Sequence, residues 1–395
     1  MKLLKLHIEN FRSLRNVIWE PGDLNVLIGP NAGGKSNLLK AIDFLAAAAE
    51  GQLREHVTKQ GGIGSVTWNG TTDAIGFRSQ VQHLPSDGAE VGDSCLVYDF
   101  ALAPTGRSGD YLVTSESLGA PVLGIEPPTE YLLIRDRRQG TIDDEVKEIS
   151  IGPNDLKTDE SMLWYSAYPV GGGLVSQFRR YVAAWRPYQF FRTDRDAPVR
   201  WSEVSRRESV LSANGDNLVS VLHTLYSDNS AFESDINDAM FAAFGDEFVK
   251  LVFSPDAADQ RIQFKVRWKS LNNPVPASDL SDGTLRYLYL LAILANPNPP
   301  PLIAIDEPET GLHPRMLTYV GEFAAEAARR TQVVFTTHSM AFLDALNRFN
   351  PTTTVVEAHN SETQIKNVSA ETLAHWLKEY TLGELFRSRQ LEAMT

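Results

Sequence analysis

The pattern of apolar and polar residues predicts a strand, a glycine-rich loop and a helix near the amino terminus. Residues 3–9 alternate between apolar and polar side chains, which is typical of a half-buried strand. The continuous apolar run at residues 24–28 is typical of a buried parallel strand. Glycine-rich residues 29–34 follow, and apolar side chains then recur at helical spacing over residues 38–46.

The middle of the chain has a different pattern. Short alternating stretches separated by Gly, Pro, Asp and Ser clusters fill residues 61–151 and predict a mostly antiparallel β region. Residues 216–244 predict two helices, and residues 248–253 and 262–268 predict a pair of strands.

The last third of the chain alternates between helices and buried strands. The pattern predicts helices at residues 280–295 and 314–330, buried strands at residues 301–308 and 332–339, and two short helices within residues 371–387. Such alternation is typical of an α/β fold with a parallel core.

We therefore predict an α/β fold with a mixed central sheet, an antiparallel β region and a helical lobe. Residues 1–170 are expected to form an amino-terminal lobe with the glycine-rich loop and the antiparallel insertion. Residues 171–275 are expected to form a mainly helical lobe that begins at a glycine run, and residues 276–395 a carboxyl-terminal lobe. The three stretches together would build one head.

Composition supports a folded protein and narrows its partners. Hydrophobic residues make up 43% of the 395 residues and charged residues 22%, which excludes wholesale disorder or a fibrous repeat. The net charge of -13 argues against unspecific adhesion to nucleic acid or to an anionic membrane, so such contact requires a local patch. Cys95 is the single cysteine, which excludes an internal disulfide and a zinc site built on several thiolates.

No segment of the sequence predicts membrane insertion or export. The apolar run at residues 287–295 is far shorter than the roughly 20 residues needed to cross a bilayer. The first ten residues alternate like a strand and lack the apolar core of a signal peptide. We therefore expect a soluble cytoplasmic protein without a membrane partner.

The strongest chemical signal is the eight-residue pattern GPNAGGKS at residues 29–36, in the strand-to-helix context that a phosphate loop requires. Glycines allow backbone N–H groups to surround a phosphate, and the following helix adds partial positive charge. Lys35 would reach the β and γ phosphates, and the Ser36 hydroxyl would bind Mg²⁺. The alternative, an incidental glycine-rich turn, is disfavoured by the register of strand, loop and helix. The predicted nucleotide-binding residues here are Gly29, Pro30, Asn31, Ala32, Gly33, Gly34, Lys35, Ser36 and Asn37.

A second signal is the pair of carboxylates that ends the predicted strand LIAIDEP. Asp306 is expected to hold Mg²⁺, and Glu307 to orient or deprotonate the attacking water. An apolar run ending in Asp-Glu is commonly only a strand end. The phosphate loop upstream favours the catalytic interpretation.

Two further signals are weaker when taken alone. In LSDGT, Ser281 can cap a helix and Gly283 allows close backbone approach, which suits an anion site but also suits an ordinary helix cap. His338 ends the predicted strand VVFTTHS, where its ring could contact a terminal phosphate or could be a satisfied buried side chain.

The order of these four motifs resembles the ATP-binding cassette ATPases, and specifically their SMC, RecF and OLD branch in a compact form without a coiled coil. The matching stretches lie at the two ends of the chain and are ENFRSL, GPNAGGKSNLLKAIDFL, LSDGTLRYLYLLAILANP, IDEPETGLHP and TTHS. The resemblance implies a P-loop NTPase head that binds ATP and Mg²⁺ and hydrolyses ATP. An appended nuclease domain of the OLD type is not expected, because only about 55 residues follow His338.

The resemblance also implies a homodimer in which two heads sandwich each nucleotide. Ser281, Asp282 and Gly283 of one copy would contact the γ-phosphate bound to the other, although many transporter ATPases have glycine where this chain has Asp282. Residues 309–314 would cross the dimer interface, and His338 matches the switch histidine. Other residues that the resemblance places near the nucleotide are Arg12 and Ser13, and either Gln80 or Gln189 as the glutamine near Mg²⁺.

One segment of the chain is basic and aromatic. Residues 178–207 contain eight arginines and three acidic residues. DNA contact through Arg179, Arg180, Arg186 and Arg192, with base stacking on Phe178, Tyr181, Trp185, Tyr188 and Trp201, is one interpretation. The other is that the aromatic residues are core and the arginines are solvated or paired. Within the segment, Asp194 and Asp196 are interpreted as a turn and not as a metal site.

The resulting functional hypothesis is a dimeric, ATP-hydrolysing switch that acts on DNA or on a separately encoded effector protein. The family implies phage defence or DNA repair. The alternatives are the ATPase subunit of a membrane transporter, which the separation of 244 positions from Ser36 to Leu280 disfavours, and a switch with very slow turnover.

Overall fold

A computed structural model describes residues 1–70, 73–83, 95–106, 109–121, 128, 130–143, 148–167, 173–255 and 261–394. The chain forms two compact units. The first contains Met1–Gly22, Ile28–Trp185 and Thr354–Asn367, and the second contains Asp23–Leu27, Arg186–Thr353 and Val368–Thr395. The boundary predicted at residues 170 and 171 lies outside the described residues, and the three-stretch division stays a prediction.

The first unit contains an antiparallel sheet. Among the described residues its strands follow the order β2-β1-β4-β5-β6-β7-β8-β9. These strands are β1 (Lys2–Phe11), β2 (Leu14–Trp19), β4 (Ile75–Gln82), β5 (Cys95–Thr105), β6 (Asp110–Ala120), β7 (Glu130–Asp136), β8 (Gln139–Asp143) and β9 (Glu148–Ile151). Neighbouring strands pair in antiparallel fashion throughout, as the alternating pattern of the sequence predicts.

Helices pack on one face of this sheet. They are α1 (Lys35–Glu50), α2 (Leu53–Lys59) and α3 (Leu174–Ala183). Phe44 of α1 lies 5.4 Å from Phe11 and 5.3 Å from Phe77, measured between ring centroids, so an aromatic cluster joins helix and sheet. Residues Thr354–Asn367 complete the unit with the hairpin of β17 (Thr352–His359) and β18 (Glu362–Asn367).

The second unit contains the parallel core that the last third of the sequence predicts. Four of its strands lie in the order β10 (Arg186–Tyr188), β15 (Leu302–Asp306), β16 (Gln332–Thr337) and β3 (Leu24–Ile28). β10 pairs in parallel with β15, and β15 pairs in parallel with β16. The carboxyl ends of these three strands therefore meet at one edge of the sheet.

Helices and a second sheet complete this unit. The helices are α4 (Leu218–Asp228), α5 (Ser230–Phe244), α6 (Asp282–Leu294), α7 (Pro314–Ala327), α8 (Met340–Asn347), α9 (Ala370–Trp376), α10 (Leu382–Arg387) and α11 (Gln390–Ala393). The second sheet is antiparallel and contains β11 (Glu203–Val204), β12 (Phe248–Pro255), β13 (Arg261–Trp268) and β14 (Val275–Pro276).

The predicted helix at residues 314–330 ends early, at Ala327. The amide N–H groups of Arg329 and Arg330 bond to carbonyls only three residues back, so the last turn tightens and the helix stops. None of the helices that the structure describes has the length and apolar character needed to span a bilayer.

Candidate nucleotide site

The phosphate loop, residues 29–36, follows β3 directly and lies against the β17–β18 hairpin. Gly29 has a φ of +148°, and a Cβ there would lie 1.9 Å from the Val356 carbonyl oxygen. Gly34 has a φ of +107°, and its Cβ would lie 2.0 Å from the Thr363 hydroxyl. Only glycine fits at these two positions. Close packing against the hairpin therefore requires glycine at these two positions, independently of the predicted phosphate binding.

Lys35 spans the phosphate loop from within. Its side chain is buried, and its Nζ donates hydrogen bonds to the carbonyl oxygens of Gly29 at 2.8 Å and Pro30 at 2.9 Å. The same residue begins α1, so the loop also lies at the positive end of a 16-residue helix. The arrangement holds an ammonium group and a helix N-terminus where an anion would bind.

A network of side-chain hydrogen bonds links the loop to its surroundings. It consists of the Thr363 and Ser13 hydroxyls and the Asn37 amide. The Thr363 hydroxyl donates to the Gly33 carbonyl at 3.0 Å, and its oxygen lies 2.7 Å from the Ser13 hydroxyl. The Asn37 side-chain amide donates to that serine oxygen at 2.7 Å. Ser13 is therefore linked to the loop indirectly, through Thr363 and Asn37. Sequence reasoning missed Thr363, which belongs to no recognisable motif.

Arg12 lies beside this network in a strained backbone conformation. Its φ is +52°, its amide N–H donates to Val66, and its Nη2 donates to the Gln60 side chain at 2.6 Å. Burial lowers the pKa of the Arg12 guanidinium below its ordinary value. Its Nε is buried and has no hydrogen-bond partner within the described part of the chain.

In the second unit, Asp306 ends β15 and Glu307 follows it directly, close to the predicted strand end. Asp306 pairs in register with Thr336 of β16, whose hydroxyl donates to the aspartate Oδ1. Glu307 has a φ of +46°, which is rare for a residue with a side chain. Its amide N–H donates to the Thr336 carbonyl at 3.1 Å. Thr336 thus fixes both acidic residues.

His338 lies between two carboxylates. Its Nδ1 is 3.1 Å from Glu307 Oε1 and 3.8 Å from Glu309 Oε1. Glu309 also accepts hydrogen bonds from the Thr337 hydroxyl at 2.6 Å and from the His338 amide at 3.3 Å. The Glu307 and His338 side chains are 38% and 49% exposed, so solvent reaches this pair. Sequence reasoning assigned no separate role to Glu309.

The signature loop, residues 277–283, forms the helix cap that the sequence predicts. Ser281 is the N-cap of α6, and its Oγ accepts from the Thr284 amide at 3.2 Å. A Cβ on Gly283 would lie 2.7 Å from the Gly311 carbonyl oxygen. The close backbone approach expected at this glycine therefore occurs within the chain, against the loop at residues 309–314.

The two candidate glutamines lie in different surroundings. Gln80 is an inner residue of β4 in the antiparallel sheet. Gln189 follows β10, whose last residue Tyr188 pairs with Ile305, and it lines a cavity of about 40 Å³ together with Asp306 and Glu307. Within the second unit the structure therefore brings Gln189, and not Gln80, to the acidic residues.

The basic aromatic segment is mainly a structural element. Its aromatic side chains Phe178, Tyr181, Trp185 and Tyr188 are buried, which supports the core interpretation and removes them as surfaces for base stacking. Trp201 is 58% exposed.

The polar residues of that segment mostly contact the protein itself. The Arg179 guanidinium lies 5.8 Å from the centre of the Trp164 ring, and Arg192 pairs with Asp194. Asp194 Oδ1 accepts from the Asp196 amide, which confirms the predicted turn. Among the described residues, no group of three or more potential ligands could hold a metal ion by itself.

Comparison with known proteins agrees with this fold. A family profile described as "AAA domain, putative AbiEii toxin, Type IV TA system" matches residues 152–344, and one described as "AAA ATPase domain" matches residues 1–73. Two solved structures are similar over nearly the whole chain. The SMC head bound to the C-winged helix domain of ScpA has a TM-score of 0.57 and 13% identity, and covers 94% of this chain and 99% of its own. The SMC head from Pyrococcus furiosus, bound to the C-terminal domain of ScpA, has a TM-score of 0.55 and 12% identity, and covers 96% of this chain and 99% of its own.

Sequence relatives match short stretches of the chain. The DNA replication and repair protein RecF of Moorella thermoacetica is 50% identical over 50 residues, which is 12% of this chain and 13% of RecF. The structural maintenance of chromosomes protein 1 of Arabidopsis thaliana is 44% identical over 55 residues, which is 13% of this chain and 4% of that protein. The alignment therefore spans only a small part of each relative's length.

The fold and the motifs define a P-loop ATPase head of the ATP-binding cassette type. The SMC-head fold, the AAA-type family profiles and the short matches to RecF and SMC proteins support an SMC/RecF-type ATPase, in agreement with the resemblance stated from the sequence motifs.

Proposed function

We propose that the chain is an ATP-hydrolysing dimeric switch. The observation that carries the proposal is the pair of Glu307 and His338, which directly follow the adjacent parallel strands β15 and β16 of the sheet whose strand β3 leads into the phosphate loop. A carboxylate held 3.1 Å from an imidazole and open to solvent suits the activation of a water molecule. Lys35 and residues 29–37 would bind the phosphates of ATP.

We propose two protein oxygen ligands for Mg²⁺. The Ser36 hydroxyl and the Asp306 carboxylate are hard donors of the kind that Mg²⁺ prefers, and the Thr336 hydroxyl orients the carboxylate. Bound Mg²⁺ would neutralise charge on the β and γ phosphates. Because Gln189 lines the cavity of Asp306 and Glu307, we assign it as the glutamine near the metal in place of Gln80.

In the proposed dimer, the signature loop of one copy contacts the nucleotide bound by the other copy. Ser281 caps α6, so the N-terminus of this helix and its hydroxyl can serve a γ-phosphate held by a second copy. His338 would orient Glu307 and sense the same phosphate. ATP would shift the pair towards its closed form only because the closed form binds ATP more tightly, and hydrolysis would reopen it.

The proposed target is DNA or a separately encoded effector protein. RecF is named for DNA replication and repair, and both SMC heads described above were solved with ScpA, which supports a target of either kind. Arg179, Arg180, Arg186 and Arg192 are the candidate DNA contacts, without base stacking on the buried aromatic residues. DNA binding that is absent even at low salt would remove DNA from the proposal.

Substitution of the general base tests the catalytic part of the proposal. Glu307→Gln keeps the shape of the side chain but removes its basicity, so we expect steady-state ATP hydrolysis to fall about a hundredfold or more while ATP binding is kept. The measurement is phosphate release together with equilibrium binding of a fluorescent ATP analogue. Unchanged turnover would remove Glu307 from the role of base.

A further inference from the structure

Arg200 makes an unusual set of contacts beside the signature loop. It ends the 3-10 turn Pro198–Arg200, and its side chain is only 9% exposed. Its Nη1 donates to the carbonyl oxygens of Ala277 at 3.1 Å, Ser278 at 3.1 Å and Leu280 at 2.9 Å. These carbonyls belong to the residues that lead directly into Ser281.

The same guanidinium reaches a second segment. Its Nε donates to the carbonyl oxygens of Thr193 at 2.8 Å and Asp194 at 3.1 Å. The segment of Thr193 and Asp194 follows Gln189 in the chain. Arginine presents five N–H donors in a planar fork, and lysine has no comparable geometry, so the set of contacts requires arginine.

The remaining contact of Arg200 is an ion pair with Asp282. Arg200 Nη2 donates to the carboxylate of Asp282, which is 63% exposed and is the first residue of α6. An unpaired carboxylate at this helix end would repel a phosphate that approaches it. Arg200 places a positive charge against that carboxylate. The pair therefore compensates for the aspartate at a position where many transporter ATPases have glycine.

We propose that Arg200 is a positioning residue that shapes the signature loop and neutralises Asp282, so that the loop can accept the γ-phosphate held by a second copy. This inference rests on the proposed function. It adds that the signature loop depends on a side chain that lies about 80 positions earlier in the chain.

Mixing two impaired variants tests this role. Arg200→Ala keeps a complete phosphate loop but would have a faulty signature loop, and Lys35→Ala has the opposite defect. Each variant alone should hydrolyse ATP about tenfold or more slowly than the unsubstituted protein. In an equimolar mixture half of the dimers contain one copy of each. Each mixed dimer has one complete site, so activity should recover to about a quarter of the unsubstituted level.

Three variants make the result decisive. Arg200→Lys keeps the positive charge without the fork that binds the loop carbonyls, so it should still hydrolyse ATP several-fold more slowly than the unsubstituted protein and be rescued by Lys35→Ala. Full activity of Arg200→Lys would overturn the positioning role. Arg195→Ala removes an exposed arginine five positions earlier and should keep full activity. Ser281→Ala mixed with Lys35→Ala tests the proposed dimer itself.

The outcomes distinguish failure of the proposed Arg200 role from failure of the proposed dimer. Rescue of both Arg200→Ala and Ser281→Ala by Lys35→Ala supports the inference. Rescue of Ser281→Ala alone, or full activity of Arg200→Ala by itself, overturns the role of Arg200 and leaves the proposed function intact. Failure of Ser281→Ala to be rescued overturns the proposed dimer, and the role of Arg200 falls with it.

Discussion

The phosphate loop and the signature loop are both held by distant parts of the chain, but the contacts differ in kind. Around the phosphate loop the constraint is steric, because the β17 backbone leaves no room for a Cβ at Gly29. Around the signature loop the constraint is polar, because Arg200 binds three carbonyls and one carboxylate. A steric constraint selects glycine and is visible in the sequence. The polar contacts depend on Arg200, which is one of eight arginines in the same segment, so the sequence alone does not reveal them.

The largest effect should follow substitution of Gly29, where the surrounding backbone leaves no room for a side chain. In Gly29→Ala the added Cβ would meet the Val356 carbonyl at 1.9 Å, and the residue would also be strained at a φ of +148°. We expect ATP binding to be lost and the free energy of unfolding to fall by about 2–4 kcal/mol. Urea unfolding and binding of a fluorescent ATP analogue measure both.

Gly64→Ala is the matched control for this substitution. A Cβ there has no neighbour within 4 Å, so stability should change by less than about 0.5 kcal/mol and ATP binding should be kept. Normal ATP affinity in Gly29→Ala would show that the hairpin yields and that the loop is not sterically fixed.

Substitution of the signature glycine should separate dimerisation from nucleotide binding. Gly283→Ala places a Cβ 2.7 Å from the Gly311 carbonyl and should displace the loop at residues 309–314. Since alanine favours the helix by about 1 kcal/mol, folding should be little affected. In a Glu307→Gln background we expect ATP-dependent dimerisation about tenfold weaker and ATP binding by the single copy unchanged. Analytical ultracentrifugation with and without ATP measures this, and unchanged dimerisation would place Gly283 outside the interface.

The smallest effect should come from removal of the Thr363 hydroxyl, which hydrogen-bonds to the phosphate loop. Thr363→Val keeps the shape of the side chain but removes the hydroxyl that contacts Gly33 and Ser13. The Ser13 oxygen keeps its hydrogen bond from the Asn37 amide, so we expect a net loss of about 1 kcal/mol, mainly from the bond to Gly33, which corresponds to about fivefold weaker ATP binding. Thr363→Ser keeps the hydroxyl and should bind ATP normally. Equal affinity of the valine and serine variants would mean that the steric constraint alone holds the loop.

Local patterns were sufficient to predict much of the fold and the main candidates of the site. The strand, loop and helix around residues 29–36, the strand that ends at Asp306 and the helix cap at Ser281 all depend on neighbours within a few positions. Apolar periodicity and capping chemistry encode such features directly. The assigned roles of these residues stay predictions.

Contacts between distant positions could not be predicted. Thr363 is 330 positions from Gly33, and Arg200 is 82 positions from Asp282, and one sequence gives no sign of either pairing. Composition alone also left residues 178–207 open between a DNA surface and a core segment. Burial of most of the aromatic side chains decided in favour of the core.

Cross-linking between two copies tests the nucleotide sandwich most directly. Cys95 is the single cysteine, so a Cys95→Ser, Glu307→Gln background allows one new thiol in each of two differently tagged chains. Asn31→Cys would mark the phosphate loop of one chain and Ser278→Cys the exposed start of the signature loop of the other. With a short bis-maleimide we expect the mixed cross-linked dimer in the presence of ATP and Mg²⁺ and not in their absence. Absence of this dimer from chains that bind ATP would contradict the sandwich.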